Sequence, residues 1–140
     1  MKDLEPKLKE QVVKLCEKGL TAQSEERFHA SNQLFYEVYK LLPEPKHEWK
    51  AYFWLISNMA DNHYEQDEFQ AAFDKLQEVF DMYSESNGNA YLCLRFGQSA
   101  YELNNTDEAI EYLSRAKTLG GTDIFDGEHS KYAKFLKENG

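Results

Sequence analysis

The stretch from Ala90 to Gly121, AYLCLRFGQSAYELNNTDEAIEYLSRAKTLGG, holds two apolar stripes at helical spacing with a polar turn between them. Cys93, Phe96, Gly97 and Ala100 recur every three or four residues and share one side of a first helix; Ala109, Leu113 and Ala116 do the same on a second. Between them runs Glu102-Leu103-Asn104-Asn105-Thr106-Asp107-Glu108. The paired asparagines tolerate left-handed backbone, Thr106 or Asn105 can cap the second helix, and the acids in its first turn suit its dipole. Two helices packed back to back through small residues are therefore expected here.

The same arrangement repeats upstream. From about Val12 to Pro45, Leu15 and Gly19 mark a first helix and Phe28, Ser31, Phe35 and Val38 a second, ended by Pro43 and Pro45. A middle copy places Ile56, Met59 and Ala60 before Phe69, Ala72, Leu76 and Val79, with Asp67-Glu68 at the turn. Gly19 to Ser31, Ala60 to Ala72 and Gly97 to Ala109 each span 12 residues. After Gly120-Gly121, Tyr132, Phe135 and Leu136 fall in helical register, which predicts a capping helix over about 128–138 that covers the apolar end of the last pair.

The segment from Ala90 resembles a tetratricopeptide repeat, a helix-turn-helix of 34 residues. Gly97, Ala109 and Ala116 stand at that family's small positions and Phe96 and Leu113 at its large apolar ones, while Cys93, Ala100 and Gly121 replace its usual Trp, Tyr and Pro. The resemblance implies an all-α fold, a short right-handed superhelix of about three helix pairs over 5–42, 46–84 and 89–119, with the capping helix, in one domain over 1–140. Between Ser31 and Ala72 the period exceeds the family's by seven residues, two helical turns. A first helix running from about His47 to Tyr64, longer at its start and carrying Trp49 on the Ile56 face, accounts for them.

Composition narrows the function classes. Among 140 residues, 25 acids against 16 bases leave a net charge of −9, which disfavours nucleic acid and anionic membranes and favours a basic protein partner. The competing reading is a charge that only keeps the surface soluble. Cys16 and Cys93 lie far apart without a CxxC, so buried free thiols are expected. The charged start, Met1-Lys2-Asp3-Leu4-Glu5, lacks an apolar leader core, and no apolar run reaches the ~18 residues of a membrane span, so a cytoplasmic location is expected.

Catalytic constellations are not found. Asp61, His63, Glu65, Asp67 and Glu68 cluster in sequence, but on a helix His63 points away from the face of Asp61 and Glu65, and no His pair at i, i+4 accompanies them. A solvated helix end is the expectation. His29, His47 and His129 are isolated, no glycine-rich phosphate loop occurs, and neither cysteine has a nucleophile signature. No catalytic, cofactor or metal site is assigned, and the protein is not expected to be an enzyme.

The tetratricopeptide resemblance implies an inner surface lined by the first helix of each pair. In that register the surface receives Trp54, Ser57, Asp61, Tyr64 and Glu65 from the middle pair and Tyr91, Leu94, Arg95, Gln98, Tyr101 and Glu102 from the third. Aromatic rings give contact area at low entropic cost, and carboxylates among them can meet Lys or Arg of a partner. For Trp54, Tyr91 and Tyr101 the alternative is packing against neighbouring helices. Arg95 serves either that surface or as an internal counter-charge.

The whole chain also resembles small bacterial tetratricopeptide proteins that act as immunity proteins beside polymorphic toxins. The motifs are Leu41-Leu42-Pro43-Glu44-Pro45 followed by Trp49, Trp54, Asn58-Met59-Ala60-Asp61, Leu94-Arg95-Phe96-Gly97-Gln98, and the tail Asp123-Ile124-Phe125 with Lys131-Tyr132 and Phe135-Leu136-Lys137. This resemblance implies stoichiometric capture of a basic toxin domain without turnover. A secretion chaperone or general scaffold is the alternative binding role, an enzyme with a cross-helix site a lesser one, and pairing of two copies stays open.

Overall fold

The structure, a computed structural model, describes residues 2–140. Its seven α-helices are α1 (Pro6–Ser24), α2 (Phe28–Leu41), α3 (Lys50–Glu65), α4 (Phe69–Met82), α5 (Ala90–Glu102), α6 (Thr106–Gly120) and α7 (Ser130–Asn139). Short 3-10 turns at Lys46–Glu48, Ser84–Gly88 and Thr122–Phe125 connect some of them. Among the described residues there is no strand, only an isolated bridge between Lys2 and Trp49. The chain forms two compact units, one ending at Asp67 and one beginning at Glu68.

One local device recurs in all three helix pairs. Glu26, Asp67 and Asn104 each adopt φ near 60° in the turn that links the two helices of a pair. Each follows the small residue of its first helix, Gly19, Ala60 or Gly97, by seven positions. In the first and third pairs this single left-handed residue reverses the chain tightly enough for the second helix to return against the first. Asn at 104 suits that conformation, whereas Glu at 26 is held there by the packing of the pair.

In the first unit, Glu5 starts α1 by accepting hydrogen bonds from the amides of Lys7 and Leu8 at 3.1 and 2.7 Å, with Pro6 at the first helical position. Val12, Gly19 and Ala22 of α1, Phe35 and Val38 of α2, and Leu55, Ile56 and Met59 of α3 form the core. A polar network crosses it. Ser31 Oγ donates to the carbonyl of Gly19 at 2.8 Å, and Asn62 Nδ2 donates to Ser31 Oγ at 2.9 Å and Asn32 Oδ1 at 2.8 Å. Gln23 Nε2 then donates to Asn62 Oδ1 at 3.0 Å, so this buried amide has partners for both of its ends.

The seven extra residues of the middle pair do not lengthen a helix at His47. Lys46–Glu48 is a 3-10 turn, Trp49 is extended (φ −91°, ψ 138°), and α3 begins only at Lys50. Tertiary hydrogen bonds hold this loop. Trp49 Nε1 donates to the carbonyl of Pro43 at 2.8 Å, and Lys46 Nζ donates to the carbonyls of Tyr39 and Leu42 at 2.8 and 2.6 Å, satisfying the open end of α2.

The N-terminal segment straps this loop. Lys2 donates its amide to Glu48 O and accepts from Lys50 N, both at 3.0 Å, while its ammonium meets Glu48 at 2.9 Å. Asp3 pairs with Lys9 at 2.7 Å. Hydrogen bonds from these lysines hold the carboxyls of Asp3 and Glu48 below their ordinary values of 3.8 and 4.5. A carboxyl depressed in the folded state supports the strap above its unfolded pKa and loses that support as pH falls through the folded one. The amide resonances of Lys2 and Lys50 are therefore expected to shift with midpoints below 4.5, and midpoints above it would contradict the pairing.

In the second unit α5 is buried from Leu92 through Ala100, on every side rather than along one stripe. Asn89 caps it, its side chain accepting from Leu92 N at 3.0 Å. Phe96 sits at the middle of an aromatic cluster, with ring centroids 4.8 Å from Phe73, 4.9 Å from Phe80 and 4.6 Å from Tyr112. A Cβ on Gly97 would lie 2.9 Å from the backbone nitrogen of Leu113, so glycine there sets how closely α5 and α6 approach. Gly121, at φ 72°, ends α6.

Candidate functional site

On α3 of the first unit, Trp54, Ser57, Asp61 and Tyr64 or Glu65 recur at helical spacing and lie along one side. Trp54 is half-buried and meets Phe35 edge to face at 5.6 Å, so one part of its ring belongs to the core and the rest reaches the surface. Ser57 donates to the carbonyl of Phe53 at 2.9 Å; Asp61 and Tyr64 are half-buried and Glu65 is exposed. Beside Trp54 opens a groove of about 470 Å³, lined by Leu4, Val13, Cys16 and Leu20 with Ala51 and Lys50 of α3. Val13 and Leu20 remain 43% and 40% exposed, an apolar strip seven residues apart on α1.

Cys16 at this groove carries no reactive thiolate, because burial pushes its pKa up to about 11. Burial likewise raises the thiol of Cys93, against the opposing pull of Arg115. Among the described residues both thiols are free and no three His, Cys, Asp or Glu side chains are placed to hold a metal ion. No helix of the described residues is long and apolar enough to cross a membrane.

In the second unit the third-pair residues stand in a different environment. Tyr91 is exposed, with the Arg95 guanidinium 5.1 Å from its ring centroid, and Leu94 is buried. Gln98 is fully buried and the Arg95 side chain is only 8% exposed. Residues after α6 cover them. Arg95 Nη1 donates to Gln98 Oε1 and to Glu128 Oε1, both at 2.7 Å, and Gln98 Nε2 donates to the same Glu128 oxygen at 2.7 Å. Lys131 Nζ lies 2.5 Å from Glu102 Oε1, and Tyr101 packs edge to face on Tyr132 and Phe135 at 5.4 and 4.9 Å. Arg95, Gln98, Tyr101 and Glu102 thus face α7 and the residue that leads into it.

The sequence reading assigned no site role to Val13, Leu20 and Cys16 on α1, to Glu128 before α7 or to Lys131 within it. The first set carried a legible signal, apolar residues off the core stripe of an otherwise charged helix. Glu128 carried none, since it meets Arg95 33 positions away.

Comparison with solved structures places this architecture. The chain superposes on the crystal structure of the Sgt2 TPR domain from Aspergillus fumigatus with a TM-score of 0.64, covering 91% of this chain and 76% of that one at 14% identity. The fold is tetratricopeptide-like. No family model and no curated protein matches the chain by sequence.

Proposed function

We propose that this protein works by binding another protein, without turnover, and that the first unit offers its open surface for that purpose. The observation that carries this reading is the groove beside Trp54, with a partly exposed aromatic and an apolar strip at Val13 and Leu20; Asp61 and Glu65 lie further along the helix of Trp54, outside the groove's lining. Repeat folds of this kind present extended surfaces to partners, and large rigid aromatics beside charged groups are the usual anchors of such contacts. The net charge of −9 favours a basic partner and speeds its capture.

A narrower role, neutralisation of a cognate toxin by a bacterial immunity protein, rests on the sequence motifs quoted above. A general scaffold would use the same surface and differ only in its partner. Capture from the native cell followed by mass spectrometry separates the two: a basic toxin domain bound one to one supports immunity, and an assembly of housekeeping proteins supports the scaffold. With the partner in hand, Asp61→Ala and Trp54→Ala are expected to weaken the complex at least tenfold while the helical circular dichroism is unchanged, and association should slow as salt rises. Unchanged affinity in the Trp54 variant would remove the groove from the interface, and in the Asp61 variant the acidic part of α3.

A further inference from the structure

The two helices that wall the groove beside Trp54 are tied together beyond both of its ends. Gln23, in the last turn of α1, donates to Asn62 in the last turn of α3. Where both helices begin, residues 2–4 run from the start of α1 to Lys50, whose amide donates to Lys2 O. The two ties differ in kind. Asn62 is fully buried and bonds Ser31 and Asn32 as well, which makes its end a fixed part of the core. The strap is held by one backbone bridge, by the ion pairs Lys2–Glu48 and Asp3–Lys9 between largely exposed side chains, and by Leu4.

Exposed ion pairs add little, and hydrogen bonds at a surface exchange for bonds to water, so burial of Leu4 contributes most of what keeps the strap in place. Leu4 is 8% exposed, and it lines the groove together with Val13, Cys16 and Trp54. One side chain therefore both holds the strap shut and faces anything seated in the groove. An apolar group in the groove meets Leu4 only while the strap is shut, so it stabilises the shut state. By linkage, the shut strap strengthens the seating by the same factor. Opening the strap leaves the packing of α1 on α2 and the Glu5 cap of α1 in place, which makes it a local event.

We propose that residues 2–4 form a clasp that shuts on an apolar side chain of a protein partner seated in the groove, so that partner binding and docking of the N-terminal segment are coupled. The proposal rests on the reading of this groove as a protein-binding surface and specifies how that surface is regulated. Whatever frees residues 2–4 weakens the partner's hold while the helical walls of the groove stay as they are.

The Lys50 amide reads the clasp. It is the first amide of α3 and has no acceptor within that helix, so its protection from hydrogen exchange comes from Lys2 O. Cys16 supplies the handle for an occupant, because it lines the groove. The test uses the full chain with Cys93→Ala, treated with benzyl methanethiosulfonate so that Cys16 carries a neutral aromatic group. Exchange at Lys50, followed by NMR, is expected to slow about fivefold or more relative to the unmodified chain. With Leu4→Ala added, the same adduct should bring no slowing. Unchanged or faster exchange in the first adduct, or equal slowing with Leu4→Ala, overturns the proposal. Should the benzyl adduct lose its helical circular dichroism, the methyl mixed disulfide takes its place and the same comparison decides. Slowing at Lys50 together with a partner indifferent to Trp54→Ala would keep the clasp and remove the groove from that interface. No slowing, with a partner that Trp54→Ala weakens, overturns the clasp and leaves the groove.

Discussion

Phe96→Ala is expected to lower the stability of the second unit by about 3–5 kcal/mol, the range for truncating a phenylalanine in a packed core. Phe96 is 1% exposed and its ring touches three others, on α4 and α6, so the void is lined from several sides by elements that cannot all move in. The ring-to-ring terms, about 0.5–1.5 kcal/mol per pair, are lost with the volume. For comparison, Tyr36 stacks on Tyr39 but is 51% exposed, and its change to Ala should cost well under half as much. Urea unfolding followed by circular dichroism reads both effects as shifts of the midpoint at constant slope. A Phe96→Ala loss below about 1 kcal/mol would mean that the cluster is not closely packed.

Gly19→Ala tests the opposite error, one atom too many. In an ordinary helix interior this change stabilises by up to about 1 kcal/mol, because alanine loses less backbone freedom. Here the added Cβ would lie 2.8 and 2.9 Å from Cδ1 and Cζ of Phe35, well inside contact distance. Phe35 cannot swing aside: it is fully buried and abuts Trp54, while the Gly19 carbonyl is bonded to Ser31. Overpacking of this kind costs about 1–3 kcal/mol, which exceeds the propensity gain, so a net loss of stability is expected. Trp54 fluorescence should change with it, since Phe35 transmits the displacement. Gly88→Ala is the control, because a Cβ there meets nothing within 4 Å. A Gly19→Ala protein as stable as that control would show that α1 and α2 can separate freely.

The repeat was legible because it is a short-range property. Gly19 with Ser31 and Gly97 with Ala109 stand where two helices touch, and the contact leaves a fixed spacing and a requirement for small side chains that no other arrangement imposes. The turn residue Asn104 was legible for the same reason, its side chain tolerating the left-handed backbone that the structure places there. At 47–49 the reading failed. Nothing between His47 and Lys50 forbids a helix, and the bonds that favour a loop, from Trp49 to Pro43 and from Lys46 to the end of α2, form only once the loop has closed on itself.

Arg95 and Gln98 mark the same boundary within the candidate site. Their polarity and helical register assign them to a surface, and the first helix of the third pair does present them on one side. Whether that side meets solvent, a partner or the chain's own tail depends on Glu128 and Lys131, about thirty positions away, whose pairing changes no local periodicity. The first and third helix pairs, their small-residue contacts and the capping helix were determined by sequence, because neighbours along the chain enforce them. The loop before α3, the groove beside Trp54 and the burial of Arg95 under the C-terminal segment were decided by tertiary structure, because each depends on groups that meet only after the helices have packed.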